Sequence, residues 1–386
     1  MTRQERRAVI LVSFVIGLRL LGIFLLLPVF SAYATKYPGA TLPLVGVAFG
    51  IYALTQSILQ MPFGRASDRF GRKPLLLLGL LFFSAGSVIC AMAGDITQLI
   101  AARALQGAGA VSAVAMASLG DLTRPSVRAQ AFTVTGLAVG GAFTMGIIGG
   151  PILGARFGLP GLFYTLAGLS FIAVLMAGFL LPDARVSPSE RTREPLRESW
   201  SDPEVRRLYV ASFVLSFVMH LFFFIYPLSW ESVGLDPSQL WKVYLVVLLP
   251  TLLLVFPFVR RAERQGKLRM SAWAGWAFLV GGFLLHLCAG PERWSLYLTG
   301  ATFFLGYTLL QALLPAFLTQ RVRPQNRGSV TGFYSLASFL GLAAGGMAAG
   351  ALAHFGHAVP LACAVLGLAL WPALGLPNPP EAETAR

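Results

Sequence analysis

The chain has 386 residues, of which 56% are apolar and only 12% charged, with a mean hydropathy of +0.71. So few polar residues cannot cover a soluble enzyme, and a disordered chain needs the opposite balance, so an integral membrane protein is expected. The net charge of +14 invites a nucleic-acid reading, which fails because the positive residues fall between apolar runs.

A membrane-crossing helix needs about 20 mostly apolar residues. Such runs lie near 8–33 (span 1), 43–63 (span 2), 74–94 (span 3), 97–119 (span 4), 128–154 (span 5) and 160–181 (span 6). A second set lies near 206–229, 239–259, 270–289, 294–318, 328–353 and 358–376 (spans 7–12). Span 1 follows Arg3, Arg6 and Arg7, but its apolar stretch is too long for a signal peptide and eleven more spans follow. Unbroken apolar runs, not ten-residue alternation, predict helices and not a barrel. The 41 glycines suit close helix–helix approach. Cys90, Cys288 and Cys363 lie inside apolar runs and read as packing residues, with no metal-ligand spacing.

Placing the N-terminus in the cytoplasm puts 24 of the 30 Lys and Arg residues on that side, in the two tails and in the loops after spans 2, 4, 6, 8 and 10. This bias predicts that both termini are cytoplasmic. The longest polar stretch between spans begins at Pro182 and divides them six and six. The predicted organisation is a bundle at 1–181, a cytoplasmic linker at 182–205, a second bundle at 206–376 and a short cytoplasmic tail at 377–386. The halves echo each other. Asp68-Arg69-Phe70-Gly71-Arg72 and Glu263-Arg264-Gln265-Gly266-Lys267 share the order acid, Arg, any, Gly, base at an offset of 195 residues, and the same offset carries Gly146 to Gly341 and Gly150 to Gly345. An internal duplication is the simplest cause, and a substrate site between two such halves is a known transporter plan.

The segment Gly64-Arg65-Ala66-Ser67-Asp68-Arg69-Phe70-Gly71-Arg72-Lys73-Pro74 resembles the hallmark loop of the major facilitator superfamily, in sequence and in its place between spans 2 and 3. Arg103-Ala104-Leu105-Gln106-Gly107 resembles that family's arginine motif in span 4. Gly146, Gly150, Pro151 and Gly154 resemble the glycine–proline motif of its drug/proton antiporter branch, with Ala155 replacing the closing glycine. The stretches LRLLGIFLLLPV, GIYALTQ, RALQGAGA, DLTR, WKVYL and ALLP look like the YajR-type bacterial efflux transporters. Two departures stand out: only about ten residues follow Leu376 where that type often carries a soluble domain, and Gln311 stands where it tends to carry an acid.

The resemblance implies a fold of twelve transmembrane helices in two pseudo-symmetric six-helix bundles. It implies that Gly64, Asp68, Arg69, Gly71, Arg72, Lys73 and Asp121 form a gate, Asp68 capping the start of span 11 near Gly328 in the outward-facing state. A carboxylate at a helix N-terminus is stabilised by the dipole and the unpaired N–H groups there. It further points to a cavity lined by Arg19, Arg103, Gln56, Gln106, His220, Tyr226, Gln311 and Tyr334, with Tyr52, Gln60 and Phe223 beside them. Charges within spans are costly and mark polar interiors. Arg19 serves the cavity or coupling, or else locks span 1 to span 5. Arg103 serves the cavity or is a structural arginine bonded to backbone or Gln. None of the sixteen Asp and Glu residues lies in the middle of a span, so the chain either couples to protons through another group or does not couple in that way. The candidates are His220, ahead of a packed or lipid-facing His286, as an imidazole in the range of neutral pH, and Arg19 acting through its field on a neighbour. The span 5 glycines and Pro151 are expected to admit span 8 or 11 and to bend span 5.

The expectation is therefore a secondary transporter of the bacterial inner membrane, exporting small amphipathic solutes or drugs against protons by alternating access. The runner-up is facilitated or exchange transport of a metabolite such as a sugar. A membrane enzyme would need a clustered acid, base, nucleophile or metal set that the spans lack. The expected partners are a small molecule, protons and lipid. No nucleic acid, cofactor or metal is expected, and a monomer is the family default.

Overall fold

The computed structural model describes residues 1–182, 202–265, 267–322, 327–356 and 358–374. These residues form helices joined by short connections, with no strand among them. Ten helical stretches among the described residues, taking Ile96–Asp121 across its break as one, are long and apolar enough to cross a membrane. One, Arg128–Leu180, merges spans 5 and 6: Gly158 sits between them at φ 64°, ψ −169°, where a side chain would be strained, and the chain turns there. Span 12 is the 17-residue helix Ala358–Leu374. The all-α polytopic fold with twelve crossings is thus present. The 182–205 linker beyond Pro182 and before Asp202, the 377–386 tail and Gly266 lie outside the described residues.

Three spans depart from the hydropathy reading. Span 1 is helical over Arg3–Leu26, opens at 27–29 and resumes as the short helix Phe30–Ala34, because Pro28 lacks an N–H and its ring crowds the preceding turn. Span 2 does not stop at 63: its helix runs over Leu42–Phe70. The segment Gly64–Phe70, expected as a loop, is therefore helical. Residues 65–70 hold no breaker, and the Ser67 hydroxyl donates to the Gly64 carbonyl at 2.7 Å. The true turn is one residue, Gly71 at φ 98°, before span 3 begins at Arg72–Met92. Span 4, expected as continuous, is split into Ile96–Gly107 and Ser112–Asp121. A methyl on Gly107 would collide with the Tyr52 carbonyl, and one on Gly109 with the Gly79 carbonyl. The chain at this break thus lies directly on spans 2 and 3.

The chain divides into two compact units, Met1–Arg191 with Pro237–Trp241, and Thr192–Asp236 with Lys242–Arg386. In the first, span 1 packs on the span 5–6 helix, span 3 on the same helix, and span 4 on spans 2 and 3. In the second, span 7 (Pro203–Ser232) packs on span 11 (Arg327–Ala353), span 9 (Leu268–Ala289) on spans 10 (Arg293–Arg321) and 12. The joints correspond. Ser13 meets the Thr135 hydroxyl at 2.8 Å between spans 1 and 5, and Ser212 meets Ser338 between spans 7 and 11. Gly146 and Gly150 lie against Phe24 and Leu25 of span 1, as Gly341 and Gly345 lie against Phe213 and Phe217 of span 7. This corrects the expectation that the span 5 glycines admit span 8 or 11: with no side chain on either glycine, the backbones of spans 1 and 5 close on each other. Gly154 lies likewise against the Tyr33 ring, and Pro151 is inside the same helix. A matching pair not read from the sequence is Gly109 on Gly79 in the first unit and Gly306 on Gly275 in the second.

Candidate functional site

The Gly71 corner gathers the gate residues of the first unit. Because Asp68 and Arg72 stand four residues apart across it, Arg72 Nη1 reaches the Asp68 carboxylate at 2.7 Å. Its Nε reaches Asp121, the last helical residue of span 4, at 2.8 Å. Its Nη1 also donates to the Ser67 hydroxyl at 2.7 Å. The Arg72 side chain is only 11% exposed and each acid 29%, so solvent screens these pairs less than ordinary surface pairs. The Arg69 guanidinium lies 5.4 Å from the Phe70 ring centre. Gly64 has no atom within 4 Å of where a Cβ would stand, so it is not a contact glycine here.

Arg19 and Arg103 lie deeper, each 3% exposed. The Nη1 of Arg19 donates to Ser112 Oγ at 2.8 Å. Its Nη2 donates to Tyr52 Oη at 3.0 Å, to Gln56 Oε1 at 3.1 Å and to the Gly109 carbonyl at 3.1 Å. Gln56 in turn donates to Ser112 at 3.2 Å. The break in span 4 is what supplies two of these acceptors, Gly109 within it and Ser112 at the start of the resumed helix. Arg19 therefore ties span 1 to spans 2 and 4, not to span 5. Arg103 donates to the Ala48 carbonyl at 3.2 Å, to the Phe49 carbonyl at 3.5 Å and to Gln106 Oε1. It also lies over the Tyr52 and Phe30 rings at 4.8 and 5.4 Å. Gln106 passes the chain on to Ser87 Oγ at 2.7 Å. The first unit thus brings Arg19, Arg103, Gln56, Gln106 and Tyr52 into one buried polar network around spans 1, 2 and 4. Ser87, Ser112 and Gly109 complete it; Gly109 falls within the RALQGAGA stretch, while the two serines carried no sequence signal. Gln60 is buried beside this set on span 2 and its Oε1 accepts no hydrogen bond.

The residues expected of the second unit do not gather in this way. Tyr226 is buried, stacks on Phe222 with ring centres 4.4 Å apart, and donates its hydroxyl to the Leu296 carbonyl at 3.0 Å. Phe223 is fully buried among Tyr244, Phe303 and Phe304. His220 and Tyr334 are buried as well, while Gln311 is exposed. His286 is packed, its Nε2 3.4 Å from Ser229 Oγ. No group of three or more His, Cys, Asp and Glu side chains with metal-binding geometry occurs among the described residues.

Each unit also carries an ion pair that joins the start of its first span to the end of its fourth. In the first, Arg124 grips Glu5 with Nε at 2.7 Å and Nη2 at 3.2 Å, which raises the arginine above its usual range. Glu5 also closes a capping box with Thr2. In the second, Arg321 meets Asp202 at 3.3 Å and Glu204 at 3.8 Å.

This duplicated framework can be set beside known proteins. The model of the Major Facilitator Superfamily matches residues 12–229 and 208–386. The chain is 35% identical over 377 residues to the inner membrane transport protein YajR of Escherichia coli (strain K12), a likeness covering 96% of this chain and 83% of YajR. The chain belongs to the major facilitator superfamily. As a member it is a multi-pass membrane transporter. It is also 27% identical over 342 residues to the multidrug resistance protein MdtH of Proteus mirabilis, covering 84% of this chain and 81% of MdtH. Among solved structures, the human organic anion transporter MFSD10 shares the superfamily fold at a TM-score of 0.68 and 20% identity, over 96% of this chain and 99% of that one.

Proposed function

We propose that this transporter exports small amphipathic solutes in exchange for protons, by alternating access between two six-helix bundles at 1–181 and 206–376, with both termini in the cytoplasm. The observation that carries the reading is the Arg72 node. One guanidinium, at the start of span 3, holds the ends of spans 2 and 4 together through Asp68 and Asp121. In the proposed cycle Asp68 leaves this node to cap span 11, favouring the outward-facing state. The relatives named above support inner-membrane transport and drug export. His220 is the proposed proton carrier.

A second reading, exchange of one solute for another without protons, is favoured by two observations. No carboxylate lies in the middle of a span, and Gln311 cannot titrate. Reconstitution in liposomes separates the two. With an imposed pH gradient and a panel of fluorescent amphipathic dyes, proton exchange gives gradient-driven accumulation that a protonophore abolishes and that His220→Gln reduces. Flux that ignores the gradient but accelerates when solute is loaded on the opposite side establishes the second reading and removes the first.

A further inference from the structure

The buried charges of the described residues are lopsided. Beneath the surface the only charged side chains among them are Glu5, Arg19 and Arg103. Glu5 stands in the first turn of span 1 and is matched by Arg124. That leaves two guanidiniums in the body of the first unit, and every hydrogen-bond partner of both is uncharged: hydroxyls, amide oxygens and backbone carbonyls. Neutral dipoles orient toward a cation but leave its net charge in place, and in a low-dielectric interior that charge acts over a long range. Both guanidiniums also bear on one residue, Tyr52, from its hydroxyl and from its ring face.

The two arginines differ in how completely they are used. Arg103 donates from Nε, Nη1 and Nη2 and lies over two rings, where Arg19 lies over one, Phe83, at 5.4 Å. Arg19 donates from Nη1 and Nη2, whereas its buried Nε donates to no protein acceptor. A void of about 10 Å³, room for a single water, is lined by Arg19 with Ser112, Val15, Leu76, Leu80 and Val111. The edge of a guanidinium that presents Nε together with an Nη is one that fits a carboxylate with two parallel hydrogen bonds.

We propose that Arg19 is the binding group for a carboxylate-like anion on the transported solute, so that this transporter selects negatively charged amphipathic molecules over cationic ones. The inference rests on the export reading above and names its substrate class. An anion reaching Arg19 compensates a charge that its neutral partners leave in place, while a cation meets two like charges with no carboxylate among their hydrogen-bond partners. Because Gly109 and Ser112 at the span 4 break also hold Arg19, a ligand drawing on that guanidinium competes with the bonds that fix the break.

The test uses the full purified chain and three aromatic probes of similar shape: naphthylacetate, its neutral amide and naphthylethylamine. Thermal unfolding is followed as each is titrated, with sodium chloride as a separate arm. The carboxylate is expected to stabilise the wild type and the amine not at all. Arg19→Gln is expected to weaken the apparent affinity for the carboxylate about tenfold or more, while Arg19→Lys keeps part of it. Equal stabilisation by amide or amine in the wild type overturns the proposal without any variant. So does a carboxylate preference that survives in Arg19→Gln. An Arg19-dependent response to chloride as large as that to the carboxylate overturns the assignment to the solute and marks an inorganic anion instead. Carboxylate binding through Arg19 with no transport in liposomes would sink the export reading and leave this one. Gradient-driven export of the amine, indifferent to Arg19, would do the reverse.

Discussion

Gln106 shows how much a single amide carries in a lipid-embedded interior. It accepts from Arg103 and donates to Ser87 with no exposure to solvent. Gln106→Leu leaves a guanidinium N–H and a hydroxyl short of partners, at a cost of about 1–3 kcal/mol, read as a lower unfolding midpoint. The glycines give a sharper contrast. Gly150→Val drives side-chain carbons into the Leu25 carbonyl, an overpacking cost of about 1–3 kcal/mol or more. Gly136→Ala meets nothing within 4 Å and gains up to about 1 kcal/mol of helix propensity. The two midpoints should move in opposite directions. At this scale the sequence exposes the expensive residues but not their neighbours. Arg19 and Arg103 stand out because a charge in an apolar run is rare. Ser87 and Ser112 do not, because a serine in a membrane helix usually bonds its own backbone, and only the folded contact distinguishes them. Phe223, whose aromatic ring alone reads as packing, is buried among the rings of its own unit, and Tyr226 is buried there too with its hydroxyl on the Leu296 carbonyl.

Among the elements, the breaks carry the information. Hydropathy shows where a chain enters lipid, but the apolar runs of spans 1 and 4 do not reveal that Pro28 interrupts one helix and residues 108–111 another. Nor does it show that span 2 continues to Phe70, since Arg65, Asp68 and Arg69 end the apolar run without ending the helix. The clasps at the starts of spans 1 and 7 are also invisible to hydropathy, because Glu5 and Arg124 lie 119 residues apart. They make a testable unit. Glu5→Gln and Arg124→Gln should each lower the unfolding midpoint. The double variant should lose less than the sum, and high salt should shrink the coupling. The same cycle on Glu204 and Arg321 should show the weaker coupling that their 3.8 Å separation implies. Asp95, which caps the first half of span 4, offers a pH test. The Thr97 hydroxyl and then the Gln98 N–H hold its carboxyl below the usual range. Its contribution is therefore complete above the ordinary aspartate range and fades as acid titrates the folded form. Asp95→Asn should remove that portion of the acid sensitivity of unfolding.

For the whole molecule, the number of crossings and the doubling of the pattern were legible from the sequence, because lipid imposes a length on every span and a duplication repeats its spacing. The repeat reappears in equivalent packing: Gly146 and Gly150 lie on span 1 as Gly341 and Gly345 lie on span 7, and Gly109 lies on Gly79 as Gly306 lies on Gly275. If the Arg72 node sets the balance between facing states, Asp68→Asn and Asp121→Asn should each shift it, read as changed labelling of single cysteines placed at opposite ends of the spans. Unchanged labelling would remove the proposed latch. One further consequence lies in the corner at Gly71. A joint of one residue reaches only about 3.6 Å, so the inner ends of spans 2 and 3 stay within that reach of each other however the two helices tilt. Lengthening that elbow by a few flexible residues is expected to leave both helices in the bilayer while their ends are free to drift apart, read as a weaker coupling between Asp68→Asn and Asp121→Asn.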